Sequence, residues 1–209
     1  MSYIYNHIMN EFFTIPLFPK VVSTTILNMN KDEKNTLTNY VKNIKYNIAN
    51  TNSYNSVNLK ILDDKKLSFL KNKIIETFNY FKKETLKCNG NFKITSSWIT
   101  KVTPKNIGHS HNHTNSFYSG VFYISSNNSD ITFLNTNRPS IEVKYEEYNN
   151  LNSNKWNITP KENQIIFFPS EVYHQVEENK SENIRYSLAF NIMPVGQIGI
   201  GDSNINLKF

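Results

Sequence analysis

Residues 164–176 read Gln164-Ile165-Ile166-Phe167-Phe168-Pro169-Ser170-Glu171-Val172-Tyr173-His174-Gln175-Val176. An apolar run closed by a proline has the look of a buried strand that ends at a turn. His174 then falls just past that strand end. Similar short β-rich runs lie on both sides: Phe92 to Val102, Phe117 to Ser125, Ile131 to Leu134, Ile141 to Tyr148, Lys155 to Thr159 and Ile184 to Met193. Polar turns such as Ser126-Asn127-Asn128-Ser129-Asp130 separate them. Short strands at near-regular spacing predict an all-β sandwich or barrel over this half.

Before Gly90 the texture differs. Residues 11–28 predict a strand or two, broken at Pro16 and Pro19. Asn30 to Asn50 carries Leu37, Tyr40, Val41 and Ile44 at the spacing of a helix face. Thr51 to Asn58 reads as a polar loop. Asp63 to Lys87 carries a second stripe, Leu67, Leu70, Ile74, Phe78 and Phe81, with Asp63 or Asp64 as its cap. Both stripes read as core. The expectation is an α+β fold, mainly β, with the N-terminal helices packed on one sheet. One domain over 1–209 is expected, with 1–90 as N-terminal strand and helical support and 91–209 as the β core that carries the site.

The bulk numbers exclude some classes. The 209 residues carry 23 Lys+Arg against 17 Asp+Glu, a net +6. The lysines are spread from Lys20 to Lys208 with no block of like charge, so they read as a solvated surface, and nucleic acid is not the expected partner. Cys88 is the only cysteine, which rules out an intrachain disulfide and a thiolate cluster. The apolar run Phe12 to Phe18 is short and contains Pro16, so no signal peptide is expected. No window approaches the length of a membrane span. A cytoplasmic protein is the expectation.

The chemistry sits in the histidines. His109, His111 and His113 lie in Gly108-His109-Ser110-His111-Asn112-His113-Thr114-Asn115-Ser116, and His174 is the other histidine of the β half. His7, in the unpatterned N-terminus, has no assigned role. On an extended chain i and i+2 share a face, so a pair from the first group can bind one metal while His174 supplies a third ligand across a barrel mouth. Three facial ligands leave open positions that suit non-heme Fe(II) with O₂ and a chelating cosubstrate. Zinc is the rival metal on these residues alone. Arg185 and Ser187 then share one strand face. A planar guanidinium with an added hydroxyl is a carboxylate anchor, as a chelating dicarboxylate requires. The alternative is a surface arginine paired with Glu177, Glu178 or Glu182.

Two blocks carry a resemblance: His111-Asn112-His113-Thr114-Asn115-Ser116-Phe117-Tyr118-Ser119-Gly120-Val121-Phe122-Tyr123, and Ile165 to Ser170 with His174, Arg185, Ser187, Phe190 and Asn191. Their order and spacing resemble the 2-oxoglutarate–Fe(II) oxygenases common in phages and bacteria, distant relatives of the prolyl hydroxylases. The opening Ile15-Pro16-Leu17-Phe18-Pro19 is similar too. The resemblance implies a double-stranded β-helix, a jelly roll akin to the cupins. It implies His111, His113 and His174 as Fe(II) ligands, and Arg185 with Ser187 as the 2-oxoglutarate anchor. Tyr118 and Tyr123 are candidates to line the cosubstrate pocket. His113 departs from the wider pattern, which has a carboxylate there, and His109 would replace it if the register shifted by two.

The reaction so implied couples decarboxylation of 2-oxoglutarate to succinate and CO₂ with O₂-dependent hydroxylation, of a peptide or protein side chain or of a small molecule. If phage-encoded, the enzyme would act in a host cytoplasm. Two other readings remain open on the sequence: a jelly-roll module that keeps a metal for stability or binding alone, and a three-histidine cupin-type dioxygenase that does not use 2-oxoglutarate. The long polar segment Asn135 to Asn163 reads as a cover that selects substrate. Oligomeric state is not encoded in any motif, and a homodimer is compatible with the sequence.

Overall fold

A computed structural model describes residues 15–49, 53–125, 129–137, 141 and 143–209. Two antiparallel sheets face each other. The larger has the order β1-β9-β6-β11-β4-β3-β2, with β12 added to β11. Its strands are β1 (Ser23–Ile26), β2 (Tyr46–Ala49), β3 (Ser53–Ser56), β4 (Asn91–Val102), β6 (Tyr118–Tyr123), β9 (Gln164–Pro169), β11 (Arg185–Ile198) and β12 (Ile205–Leu207). The smaller has the order β5-β10-β7-β8, from β5 (Gly108–His111), β10 (His174–Val176), β7 (Ile131–Leu134) and β8 (Lys155–Ile158).

Two helices cover the outer face of the larger sheet: α1 (Lys31–Asn43) and α2 (Ser68–Glu84). Asn30 caps α1: its side chain accepts from the Glu33 N–H at 2.9 Å, and Glu33 accepts from the Asn30 N–H at 2.9 Å. This reciprocal pair satisfies two backbone donors that a helix start leaves open. Leu37 and Val41 of α1 and Leu70, Ile74, Phe78 and Phe81 of α2 are buried against Phe122, Ile165, Phe167, Leu188 and Phe190 of the sheet. Strand alternation sends the next residues to the opposite face. Val121, Tyr123, Ile166 and Phe168 thus pack inward with Ile131 and Phe133 of the smaller sheet. The run Ile165 to Phe168 is apolar throughout because β9 is buried on both faces.

Several expectations change. The helix foreseen over Asn30 to Asn50 ends at Asn43, and the chain turns into β2. The supposed loop Thr51 to Asn58 holds β3, pairing Ser53 with Val102 and Asn55 with Thr100 of β4. Backbone pairing with a long central strand overrides the weak strand preference of this polar stretch. Asp64 caps a short 3₁₀ turn, Lys65–Leu67, and α2 begins after it. The first part of residues 11–28 lies outside the described residues, and Ser23–Ile26 is the strand seen there. No strand forms among the described residues between Ile141 and Tyr148. Among the described residues no helix is long and apolar enough to cross a membrane.

Candidate active site

The smaller sheet brings two histidines face to face. His174, the first residue of β10, pairs with His111, the last of β5, and with Phe133 of β7. After His111 the chain leaves the strand, and the His113 N–H donates to the Ser170 carbonyl at 2.9 Å. That bond folds His113 back beside the pair. Ring centroids lie 4.5 Å apart for His111–His174, 5.1 Å for His111–His113 and 5.1 Å for His113–His174. One nitrogen from each ring lies within 4.8 Å of the others, close enough to share one ion. His109 lines the same cavity but is outside this convergent group.

Second contacts set the tautomers. His174 Nδ1 lies 3.1 Å from the Val172 carbonyl, and His111 Nδ1 lies 2.8 Å from the His109 carbonyl. A carbonyl oxygen only accepts, so Nδ1 carries the proton and Nε2 keeps its lone pair when the ring is neutral. Burial, with His111 nearby, pushes His174 down to about 3 and His113 down to about 4. Both rings are therefore neutral across the physiological range, the form a metal needs.

Arg185, the first residue of β11, is 1% exposed. It forms no ion pair among the described residues, so the surface pairing with Glu177, Glu178 or Glu182 does not occur. One guanidinium nitrogen donates to Ser129 Oγ at 3.2 Å, and the guanidinium carbon lies 4.9 Å from the Tyr123 ring centroid. Arg185 Nε and the Tyr123 hydroxyl are buried without a hydrogen-bond partner. Burial pushes the Tyr123 phenol up to about 12, so it stays protonated and able to donate. Asp130 acts on this buried cation at longer range but makes no ion pair with it, and such a cation is costly, so the guanidinium and the Tyr123 hydroxyl beside it mark a place for an anion. Ser187 shares the strand face and pairs in register with Tyr123.

One cavity of about 300 Å³ joins these groups: His111, His113, His174, Arg185, Ser187 and Tyr123 all line it. The donor set fits the expected cofactors, with neutral imidazoles at one end and a buried guanidinium without an ion-pair partner among the described residues at the other. Tyr118 is not part of it. Its ring packs on the helix side, 5.5 Å from Phe81 and 6.1 Å from Phe78. Tyr118 and Tyr123 stand an odd number of residues apart, which places them on opposite faces of β6. Two residues at the site carried no sequence signal of their own. Trp98 of β4 has its ring 5.6 Å from His113. Ser129 holds Arg185 from a segment that reads only as a turn.

Comparison with known proteins agrees with this geometry. Residues 96–191 match the family model described as "Putative 2OG-Fe(II) oxygenase". No curated protein matches the chain in sequence. Among solved structures it is similar to HygX from Streptomyces hygroscopicus with nickel, 2-oxoglutarate and hygromycin B bound. That match has TM-score 0.62 and 8% identity, covering 83% of this chain and 82% of that one. A Pseudomonas putida prolyl-4-hydroxylase matches with TM-score 0.58 and 14% identity over 84% of this chain and 93% of that one. A 2OG-Fe(II) oxygenase-family oxidoreductase from Burkholderia pseudomallei matches with TM-score 0.53 and 11% identity over 81% and 83%. These likenesses establish the double-stranded β-helix fold, and the matched residues 96–191 contain every member of the metal-and-anchor cavity on β4 to β11. Residues 96–191, which hold the three histidines and Arg185, thus match the model of the 2OG-Fe(II) oxygenase family, and the fold around them is the one seen in structures that bind iron or nickel with 2-oxoglutarate.

Proposed function

We propose that the chain hydroxylates a peptide or protein side chain, with His111, His113 and His174 holding Fe(II) and Arg185 anchoring 2-oxoglutarate. The observation that carries this reading is the pairing in one cavity of three convergent imidazoles with a buried guanidinium that makes no ion pair among the described residues. When bound, Fe(II) and 2-oxoglutarate supply an oxidation that uses O₂. 2-Oxoglutarate, O₂ and a substrate C–H become succinate, CO₂ and a C–OH. The protein's own work is positioning. Arg185 would hold a carboxylate of 2-oxoglutarate through its planar guanidinium, with the Ser187 and Tyr123 hydroxyls as further donors. The Nδ1 bonds of His111 and His174 fix which ring nitrogen faces the metal. Apolar walls from Val121, Ile131 and Phe168 keep water from the reacting centre.

The buried Arg185 favours 2-oxoglutarate use over a three-histidine cupin-type reaction without it, because such a reaction leaves the guanidinium unexplained. A purely structural metal leaves it unexplained as well. A peptide or protein substrate is supported by the likeness in fold to a prolyl-4-hydroxylase. The test is turnover of Fe(II)-loaded protein with 2-oxoglutarate, O₂ and a peptide library. Succinate formation together with peptides heavier by one oxygen atom is the expected result. No succinate under any condition overturns the reading. Succinate with peptides unchanged and a small molecule oxidised instead overturns the substrate half alone.

A further inference from the structure

A row of hydrogen-bonded polar side chains crosses the inner face of the larger sheet behind His113. Asn191 of β11 stands in register between Ser96 of β4 and Ser119 of β6. Its Nδ2 donates to Ser96 Oγ at 3.1 Å, and its Oδ1 accepts from Ser119 Oγ at 2.9 Å. Ser119 Oγ lies 2.8 Å from Ser170 Oγ, so with its own proton given to Asn191 it accepts from the Ser170 hydroxyl. Ser119 and Ser170 are 1% and 0% exposed. The row ends at the Ser170 carbonyl, which takes the His113 N–H at 2.9 Å. The Ser170 N–H is held in turn by the Phe117 carbonyl at 3.2 Å.

The placement matters because of how His113 is held. His111 and His174 are fixed by strand pairing and by Nδ1 bonds to main-chain carbonyls. His113 lies beyond the end of β5, and no ring-nitrogen bond is seen for it among the described residues. Besides the other two imidazoles, its ring has the aromatic neighbours Trp98 and Phe168, at 5.6 and 6.2 Å. Its position therefore depends on the main-chain bond to Ser170. Burying hydroxyls and an amide inside a sheet is costly unless every group is paired, and here each donates to the next from Ser170 through Ser119 and Asn191 to Ser96, which anchors Ser170 to the sheet. We propose that Ser96, Asn191, Ser119 and Ser170 form a positioning row that sets where His113 stands and so sets metal affinity. This rests on the reading of His113 as a metal ligand. The four residues touch neither metal nor cosubstrate in this role and act through the His113 main chain.

The experiment compares Ser119→Ala and Ser119→Cys with wild type and with Asn179→Ala. Cysteine keeps nearly the same volume and bonds poorly, so it isolates the hydrogen bond from packing. Asn179, outside the row and the cavity lining, donates to the Val102 and Asn183 carbonyls at 3.1 and 2.8 Å and serves as a structural control. Readouts are Co(II) affinity, the visible Co(II) spectrum and the melting temperature of metal-free protein. Loss of an outer contact to a metal ligand weakens binding roughly 10–100-fold. Both Ser119 variants are expected in that range, with an altered Co(II) spectrum and little change in metal-free melting. Asn179→Ala is expected to lower melting and leave Co(II) affinity unchanged. Wild-type affinity and spectrum in both Ser119 variants overturn the proposal. So does a loss of affinity that only tracks a fall in metal-free melting, or failure of both variants to fold. Wild-type protein that binds no Co(II) counts against the metal site itself and not against the row.

Discussion

The two faces of the larger sheet are built from the same strands and do opposite work. On β11, Leu188, Phe190 and Ile192 face the helices, while Arg185, Ser187, Ala189 and Asn191 face the cavity or its back wall. The outer face is an aromatic cluster in which Phe167 stacks on Phe81 at 5.6 Å and meets Phe78 at 5.4 Å. Its stability is non-directional and follows buried area. The inner face spends burial on imidazoles, hydroxyls and a guanidinium, groups that lower stability unless a partner arrives. Stability and function are thus separated by one residue step along each strand.

Breaking the inner face should have the largest effect. His174→Ala removes the most buried of the three imidazoles, and metal binding by equilibrium dialysis is expected to vanish while the metal-free fold survives. Breaking the outer face should do the reverse. Phe167→Ala opens a cavity among Phe78, Phe81 and Phe190 and is expected to cost about 3–5 kcal/mol in denaturant unfolding. Folded protein that remains should bind metal as wild type does.

Arg185 sharpens the contrast, since the two faces predict opposite signs for it. Removing one partner of a buried charge pair costs about 2–5 kcal/mol, so Arg185→Met should weaken 2-oxoglutarate binding by that amount. Without 2-oxoglutarate the same change should raise stability, because replacing a buried charge by an apolar side chain gains about 1–4 kcal/mol. Calorimetric melting with and without 2-oxoglutarate reads both. Gly120 tests the packing between faces. A Cβ there would sit 2.3 Å from Phe190 Cζ, and Gly120→Ala is expected to cost about 1–3 kcal/mol in unfolding free energy. The smallest effect separates the two tyrosines. Tyr123→Phe should raise the KM for 2-oxoglutarate by the worth of one hydrogen bond, about 0.5–1.5 kcal/mol, while Tyr118→Phe leaves it unchanged.

Much of this was legible in the chain. The alternation on β11 and the double-faced run Ile165 to Phe168 identify strands, and His111, His174, Arg185 and Ser187 fall where a facial metal site and its anchor need them. The odd spacing of Tyr118 and Tyr123 already forbids both from facing one pocket, so the correction at Tyr118 lay within reach of the sequence. Other features were not legible because they depend on distant partners. β3 is a polar strand that exists through pairing with β4. His113 joins His111 through a turn after the strand ends, tied to Ser170, so the i, i+2 rule brings these two rings together for an incomplete reason. Ser129 meets Arg185 across 56 residues of sequence, and no local pattern encodes that contact.

The central claim is that one cavity holds a metal through three imidazoles and a dicarboxylate through Arg185. Anaerobic titration of Fe(II)-loaded protein with 2-oxoglutarate tests it most directly. The account predicts a visible metal-to-ligand charge-transfer band that needs both components. In Arg185→Ala the band should appear only at far higher 2-oxoglutarate, with Fe(II) affinity unchanged. Absence of the band in wild type, or equal loss of metal and 2-oxoglutarate binding in Arg185→Ala, would contradict it.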